Sequence, residues 1–256
     1  MRVEVLGTGS AGNCYKVKIG KATLLLECGL PFKVIQRKLD FKLSDIDACL
    51  VTHEHMDHAK AVKDLMKAGV DCYMTKGTSE ALGVSGHRLN TFYKSPDRRW
   101  QYNYKILKDL IILPFEAIHD VEEPVGYFIK TRDDKESLVF VTDTAYLMYK
   151  IPECEVLMIE CNYVKSTIDE NVELGKVNTS LRNRIVRNHL SLETLVEALQ
   201  ATDLKRLKKI YLLHLSDSNS DEGLIKMTIQ EITGVEVVIA SVSYTHLRAH
   251  ETEADL

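Results

Sequence analysis

The sequence predicts an α/β domain in which mixed β-sheets and helices form a sandwich. Each half of the chain begins with apolar, strand-like runs and continues with helical patterns. The 256 residues also suffice for one large domain with a sizeable core, and no linker, repeat or low-complexity segment divides them. Hydrophobic residues make up 45% of the chain and charged residues 27%, which is ordinary for a globular protein and argues against disorder.

Predicted strands and short helices alternate in the first half of the chain. Strands are predicted at residues 2–6, 14–19, 21–27, 46–52 and 71–74, and helices at 31–39, from about 58 onward, and at 78–84. A glycine-rich loop at residues 7–13 separates the first two strands. It lacks the Lys-Ser/Thr of a phosphate-binding loop, and a strand rather than a helix follows it, so we interpret it as a hairpin turn near an active site.

A polar, basic and aromatic interval follows at residues 87–104 and includes Trp100. We interpret this interval as a surface loop, with a substrate contact as the alternative. Strands are predicted after it at residues 110–113, 115–119, 125–131, 138–142, 156–160, 209–214 and 235–239. Helices are predicted at residues 181–188, 192–202 and 222–232.

A cluster of metal-ligand side chains follows the buried strand at 46–52. His53, His55, Asp57 and His58 occur within six positions, on a loop between that strand and a helix. Imidazole nitrogens and a carboxylate suit zinc, with manganese or iron as second choices. The alternative is a polar surface loop, but three histidines and an aspartate directly after a buried strand argue against it. The sequence therefore predicts a metal site here.

Three later residues of ligand type each end an apolar strand. They are His119, Asp143 and His214. Loops from different strands converge at strand ends, so these side chains are candidates to join the first cluster. Taken singly, each is more often structural, because a strand-end aspartate is commonly a cap or turn residue. Together with the first cluster they supply seven ligands, which is enough for two metal ions sharing one carboxylate.

This ligand pattern resembles the metallo-β-lactamase fold, over residues 1 to about 240. The resemblance implies a four-layer αββα sandwich of two mixed sheets flanked by helices, with two divalent metals at one edge. It also implies a dinuclear hydrolase that uses a metal-bridged hydroxide. The implied ligands are His53, His55 and His119 for one metal, Asp57, His58 and His214 for the other, and Asp143 as the bridge.

Within this fold the chain resembles the YycJ/WalJ-like nuclease branch, which is linked to DNA processing. The matching stretches are residues 7–13, 52–58, 119–120 with 124–127, 141–143, 160–162, 188–191 and 213–216. Two residues depart from the pattern of the branch. Glu27 stands where an aspartate is usual, and Asn188 replaces a glycine before His189.

Three residues are predicted to take part in catalysis. Asp57 would orient the hydroxide as well as bind metal, and His189 and Glu160 are the candidates for protonating the leaving oxygen. Basic residues precede His189 and the His214 strand, so two basic clusters are expected beside the metal ligands. This favours a phosphate-rich substrate, although a solvated helix face explains either cluster alone. The clusters are Lys176, Arg182, Arg184 and Arg187, and Lys205, Arg206, Lys208 and Lys209.

These features together predict a metal-dependent phosphodiesterase, and specifically an exonuclease-like DNA nuclease. DNA is favoured over RNA as the substrate. The alternative is a small-molecule phosphodiesterase acting on cyclic nucleotides, or another hydrolase of this fold. A binding module that has lost its metals is disfavoured, because none of the ligand positions is degraded.

Composition and the two chain ends bear on location and domain limits. The net charge of −4 excludes a globally basic nucleic-acid coat, and no signal peptide or membrane-spanning run is seen, so a cytoplasmic protein without a membrane partner is expected. Six cysteines without a CxxC pair suggest reduced, mostly buried thiols. Residues 1–241 are expected to form the single hydrolase domain. Residues 242–256 resemble translated adapter sequence and are expected to be a non-native tail.

Overall fold

A six-stranded β-sheet is formed by the first third of the chain. The computed structural model describes residues 1–95 and 98–241. The strands of this sheet are β1 (Arg2–Gly7), β2 (Cys14–Ile19), β3 (Ala22–Leu26), β4 (Ala48–Leu50), β5 (Cys72–Thr75) and β6 (Leu89–Phe92), in this order. The first three strands pair antiparallel, and β3 to β6 run parallel. The sheet is therefore mixed, as predicted.

A seven-stranded sheet follows a small two-stranded hairpin. The hairpin is β7 (Lys94–Ser95) with β8 (Arg98–Tyr102). The sheet contains β9 (Lys105–Leu107), β10 (Leu110–Glu116), β11 (Val125–Thr131), β12 (Ser137–Val141), β13 (Val156–Glu160), β14 (Lys209–Leu213) and β15 (Glu236–Ile239). Its order is β15-β14-β13-β12-β11-β10-β9. Strands β12 to β15 run parallel, whereas β9 to β12 pair antiparallel.

Helices cover the outer faces of both sheets. They are α1 (Phe32–Lys38), α2 (Met56–Ala59), α3 (Val62–Lys67), α4 (Lys76–Ala81), α5 (Lys165–Glu173), α6 (Thr179–Asn188), α7 (Leu192–Gln200) and α8 (Glu222–Thr233). Side-chain caps fix where several of them begin: Asn178 accepts from the first turn of α6, Ser191 from that of α7 and Asp221 from that of α8. The helix α8 ends at Gly234, whose φ of 68° is left-handed.

Three apolar layers hold this four-layer sandwich together. Alternation along β12 shows how the layers arise: Leu138 and Phe140 point into the core between the sheets, whereas Val139 and Val141 point to the outer layer under the helices. A third cluster joins the outer face of the first sheet to α1 and α3. The predicted αββα architecture is confirmed.

Two of the predicted segments differ in the structure. Residues 110–113 and 115–119 were predicted as separate strands, but β10 is continuous through Pro114 and ends at Glu116. Proline is tolerated because β9 stops pairing at Ile112, so the position of the missing N–H of Pro114 has no β9 partner. The interpretation of residues 87–104 as a surface loop is wrong, because β6, β7 and β8 occupy most of the interval.

The structure also contains a helix that the sequence did not predict. In α5 only Ile168 and Val172 provide apolar side chains at helical spacing, which is too weak a pattern to detect.

All six cysteines are buried free thiols. In the described ranges, no helix is both long enough and apolar enough to cross a membrane. The proposed non-native tail at residues 242–256 lies outside the described residues, so it stays a prediction.

Candidate metal centre

The ends of several strands deliver polar side chains to one edge of the sandwich. Strand β10 is antiparallel to β11, which is antiparallel to β12, so β10 runs in the same direction as the parallel strands β12 to β14. Their carboxyl ends meet at one edge, which is where open α/β sheets commonly place ligand sites. The residues at these ends are His119 after β10, Asp143 after β12, Glu160 at the end of β13 and His214 after β14. From the six-stranded sheet, Glu27 after β3 and His53 to His58 after β4 reach the same place.

Three of these residues have left-handed backbone conformations. The φ angles are 64° at Glu27, 47° at Asp143 and 52° at His214. A non-glycine residue held in this region costs about 1–3 kcal/mol, so the surrounding structure must impose it. All three side chains are buried. The backbone is therefore strained at the positions where side chains turn out of parallel strands into the shared edge.

Four of the predicted ligands form a compact group whose nitrogen and oxygen atoms are close enough to surround one metal ion. Each of His53, His55, His119 and Asp143 offers one ligand atom, and these atoms all lie within 4.8 Å of one another. His55 Nδ1 is 3.2 Å from His119 Nε2. The buried Nε2 of His53 has no hydrogen-bond partner among the described residues. A desolvated nitrogen without a partner beside a carboxylate fits a metal ligand.

Two histidines of this group, His53 and His119, are in a protonation state that suits binding of a cation. Burial holds the pKa of His53 well below its ordinary value, and the nearby His58 adds to this effect. Burial likewise lowers the pKa of His119. Both imidazoles are therefore neutral at pH 7 and offer a lone pair.

Hydrogen bonds behind the rings fix which nitrogen faces the group. His119 Nδ1 lies 3.1 Å from the carbonyl oxygen of Asn188, and a carbonyl only accepts, so Nδ1 carries the proton and Nε2 is free to bind. Thr52 Oγ1 lies 2.9 Å from His53 Nδ1, which leaves Nε2 of that ring as its inward atom. Such partners orient ligand rings in many metal sites.

Asp57 and His58 approach Asp143 from another side. His58 Nε2 is 3.4 Å from Asp57 Oδ2 and 3.3 Å from Asp143 Oδ2. Glu27, one of the two departures noted in the sequence, has its Oε1 3.8 Å from Nδ1 of the same ring. The Asn13 side-chain nitrogen lies 3.1 Å from His58 Nε2. Sequence reasoning missed Asn13, although the glycine-rich loop that contains it was placed near the site.

Asp143 also belongs to a second group of ligand-type side chains. Its other members are Glu160, His189 and His214. His214 Nδ1 lies 2.8 Å from Asp143 Oδ1 and 3.5 Å from Glu160 Oε1. This membership differs from the ligand set of Asp57, His58 and His214 implied by the family resemblance, which stays a prediction. Asp143 is the residue shared by both groups.

The charge on Asp143 is stabilised by its neighbours. Burial disfavours the carboxylate, but His214 and His58 outweigh this effect and hold the pKa of Asp143 well below its ordinary value. Thr142 Oγ1 donates a hydrogen bond of 2.8 Å to Asp143 Oδ1. Asp143 is therefore an anion at the centre of the cluster.

Glu160 and His189, predicted separately, form a close pair. His189 Nδ1 is 2.6 Å from Glu160 Oε1. The other carboxylate oxygen accepts from the backbone nitrogens of Thr144 and Leu190, at 3.0 and 3.3 Å. Burial opposes ionisation of both side chains, yet their mutual attraction raises the pKa of His189 and lowers the pKa of Glu160. The Glu160 side chain is fully buried, whereas 19% of the His189 side chain is exposed.

Gly29, which follows β3, packs directly against the backbone of the loop that carries Asp57 and His58, and there is no room for a side chain at this position. A Cβ at Gly29 would lie 1.7 Å from the backbone oxygen of Asp57. The same oxygen accepts from the backbone nitrogen of Asn13 at 2.7 Å, and Cys28 N donates to His58 O at 2.7 Å. These contacts lock the loop that carries Asp57 and His58.

We expect Gly29→Ala to disturb this loop. Overpacking costs about 1–3 kcal/mol, and each kcal/mol lowers the melting temperature of a chain of this size by about 2–4 °C. Metal affinity should fall with it, as measured by thermal melting and chelator competition. Gly223→Ala is the control, because its Cβ would meet only ordinary contacts in the first turn of α8. Equal effects of the two substitutions would show that the close contact at Gly29 does not hold the loop.

The two predicted basic clusters lie in different places relative to this centre. Lys209 and His214 flank opposite ends of β14, so the cluster preceding β14 is remote from the metal-ligand edge. Its cations also pair with carboxylates: Lys205 with Asp203, Arg206 with Asp134, Lys208 with Glu155 and Lys209 with Glu236. The expectation that this cluster lies beside the metal ligands is wrong. Arg184 and Arg187 of the α6 cluster, in contrast, line a cavity that also contains His119.

The chain is similar to curated and solved proteins over most of its length. Residues 24–215 match the family described as Beta-lactamase superfamily domain. The chain is 34% identical over 240 residues to the exodeoxyribonuclease WalJ of Streptococcus pneumoniae strain R6, covering 89% of this chain and 86% of the relative. It is 26% identical over 245 residues to the exodeoxyribonuclease YycJ of Bacillus anthracis, covering 91% and 89%.

A solved structure agrees with these sequence matches. The metallo-β-lactamase fold protein YhfI from Bacillus subtilis superposes with a TM-score of 0.68 at 19% identity, covering 94% of this chain and 96% of that one. At this identity the likeness shows the fold alone. The family match and the WalJ relative go further, and the His/Asp groups at the sheet edge are compatible with divalent metals. The chain therefore belongs to the metallo-β-lactamase superfamily and is a metal-dependent hydrolase.

Proposed function

We propose that this protein is a dinuclear metal-dependent nuclease that cleaves phosphodiester bonds of DNA from an end. The observation that carries the proposal is the position of Asp143, a buried carboxylate shared by two groups of ligand-type side chains. A carboxylate in that position is suited to bridge two cations. The names of the WalJ and YycJ relatives, both exodeoxyribonucleases, support DNA as the substrate and an end as the point of attack.

The proposed ligands are the seven residues derived from the sequence. His53, His55 and His119 would hold one ion, Asp57, His58 and His214 the other, with Asp143 between them. Zinc suits this nitrogen-rich set first, with manganese or iron as alternatives. When bound, such ions supply a water nucleophile at neutral pH and neutralise charge on the attacked phosphodiester.

Asp57 and His189 are the side chains we assign to the reacting atoms. The Asp57 side chain is 27% exposed, so one carboxylate oxygen can orient the attacking water. His189 uses Nδ1 to bind Glu160, and its Nε2 makes no hydrogen bond to any described residue. That nitrogen is available to donate a proton to the leaving oxygen.

Glu160, which the sequence suggested as a catalytic candidate, is better assigned as a positioning residue. Its carboxylate is fully buried and both oxygens are occupied by His189 and two backbone nitrogens. It therefore fixes the tautomer and orientation of His189 and favours the protonated ring, as a buried carboxylate does in other acid–base sites.

A panel of end-labelled substrates tests the proposed activity. Linear single-stranded and double-stranded DNA, closed circular single-stranded DNA, linear RNA and a cyclic nucleotide are incubated with the purified protein, with and without chelator. Linear DNA should shorten progressively, closed circles should be spared, and chelator should abolish cleavage.

Two outcomes would reassign the function. Rapid hydrolysis of the cyclic nucleotide without cleavage of DNA would establish the small-molecule phosphodiesterase alternative. Cleavage of closed circles at the rate of linear DNA would show an endonuclease. Undiminished DNA cleavage after complete metal removal would overturn the metal-dependent mechanism.

A further inference from the structure

One face of helix α6 is polar along its whole length and points toward the candidate metal centre. Its residues recur at spacings of three and four, which places them on one side of the helix. They are Ser180, Asn183, Arg184, Arg187 and Asn188. These five residues line a cavity of about 760 Å³ whose other lining residues are Ile118, His119 and Asp120. The cavity therefore has this helix face on one side and the loop of a candidate metal ligand on the other.

Two positive charges on this face have no acidic partner. Arg184 and Arg187 are exposed, and neither forms an ion pair with any residue in the described parts of the chain. Arg182 in the same helix behaves differently, because its guanidinium binds Asp169 at 2.8 Å. The face is thus charged beside the candidate centre, although the chain as a whole is acidic. Asp120 is the one acid among the residues that line the cavity.

Arg184 also lines a second cavity that contains other candidate site residues. This cavity, of about 670 Å³, contains His189 and His214 together with hydroxyl groups such as those of Thr8 and Ser216. The two cavities share Arg184, and each contains candidate site residues: His119 in the first, His189 and His214 in the second. The two cavities together therefore provide more room beside the centre than a single phosphate group would occupy.

We propose that this face of α6, with Arg184 and Arg187 at its centre, binds the phosphate backbone of a nucleic-acid strand beside the bond that is cleaved. The two cavities, of about 760 and 670 Å³, share Arg184 and together offer more space than one phosphate group fills. Arginine forks match phosphate oxygens, and backbone contacts of this kind position a strand without reading its sequence. The placement of the scissile bond rests on the proposed nuclease function, whereas backbone binding does not.

The structure permits a clean test, because the two arginines contribute little to the fold. Asn188 is the one residue of α6 that is buried. It also holds the His119 loop, since its Oδ1 accepts from Asp120 N at 3.1 Å, so it is left unchanged. The variants are Arg184→Gln, Arg187→Gln and their combination, and Arg182→Gln is the matched control on the same helix.

Binding of a fluorescein-labelled, phosphorothioate-linked oligothymidylate to the metal-loaded protein is measured by anisotropy over a range of salt concentrations. Each phosphate contact in a single strand contributes about 0.7 to the slope of log K against log salt, so the double variant should lose about 1.4. Arg182→Gln should keep the wild-type slope. An oligouridylate should show the same loss as the DNA strand, because the contacts are to the backbone.

Hydrolysis separates this inference from the proposed function. The double variant should lose more kcat/KM on an oligonucleotide than on thymidine 5′-p-nitrophenyl phosphate, which has no neighbouring phosphates. Arginine-dependent binding by a protein that cleaves no nucleic acid would support the inference and contradict the nuclease. A double variant with the wild-type salt slope and affinity, or a control with the same loss as the double variant, would overturn the inference.

Discussion

Asp143→Ala should abolish hydrolysis and reduce bound metal from about two ions per chain to less than one. The side chain belongs to both groups of ligand-type residues, so in the proposed centre its removal would take a ligand from each ion at once. Elemental analysis of purified wild-type and variant protein measures the loss. Asp203→Ala is the control, since Asp203 is a surface residue paired with Lys205. A variant that keeps both ions and wild-type activity would remove Asp143 from the centre.

A second substitution distinguishes loss of metal from loss of fold. Asp143 is buried and bound to Thr142 and His214, so alanine leaves buried groups without partners. Asp143→Asn keeps the size of the side chain and one accepting oxygen but removes the charge. It should melt near the wild-type temperature and still lose metal. If both variants unfold in step with their metal loss, the role of Asp143 is structural.

His189→Ala should lower kcat by about 10²–10⁴-fold while keeping the metal and the fold. The reason is that His189 holds Glu160 through Nδ1 and leaves Nε2 for the leaving oxygen. A p-nitrophenyl ester should suffer less, because its leaving group needs no proton. Steady-state kinetics on both substrates, with elemental analysis of the same samples, measures this difference.

Controls for His189 follow from its surroundings. Glu160→Gln should also lower kcat, because glutamine cannot stabilise the protonated imidazole of His189. His87→Ala, at an exposed histidine of the first half of the chain, should behave as wild type. His189 and Glu160 also belong to the second ligand-type group, so metal loss in His189→Ala would identify that residue as a ligand. DNA cleavage at the wild-type rate would exclude both roles.

Much of the fold could be predicted because hydrophobic periodicity is local. Alternation in β12 sends Leu138 to one layer and Val139 to the other, and such runs are visible in the sequence. What could not be predicted depends on partners. Whether Pro114 breaks a strand is decided by where β9 stops pairing, and α5 is stabilised by packing beside α6 rather than by its own weak pattern.

In the candidate site too, features that are local in the sequence could be predicted, whereas features that depend on distant partners could not. The ligand-type residues could be found because they cluster in one loop or end apolar strands. The pairing of Glu160 with His189 could not, since 29 residues separate them and only the meeting of β13 with the end of α6 brings them together. The support of His119 by Asn188 depends on a backbone carbonyl, for which the sequence holds no signal.

The basic cluster before β14 was misplaced for a simple geometric reason. Residues that precede and follow a strand lie close in the sequence but at opposite ends of the strand. A strand rises about 3.3 Å per residue, so Lys209 and His214 are separated by roughly 16 Å along the sheet. Proximity in the sequence therefore favours a shared site for residues in one loop, but not for residues on either side of a strand.

Anomalous diffraction from crystals of the metal-loaded protein tests whether the centre holds two ions. Two peaks are expected, roughly 3.5–4 Å apart, with the Asp143 carboxylate between them. One peak should lie at His53, His55 and His119, and the other at Asp57, His58 and His214. A single peak, or a second peak held by Glu160 and His189 in place of Asp57 and His58, would contradict this expectation.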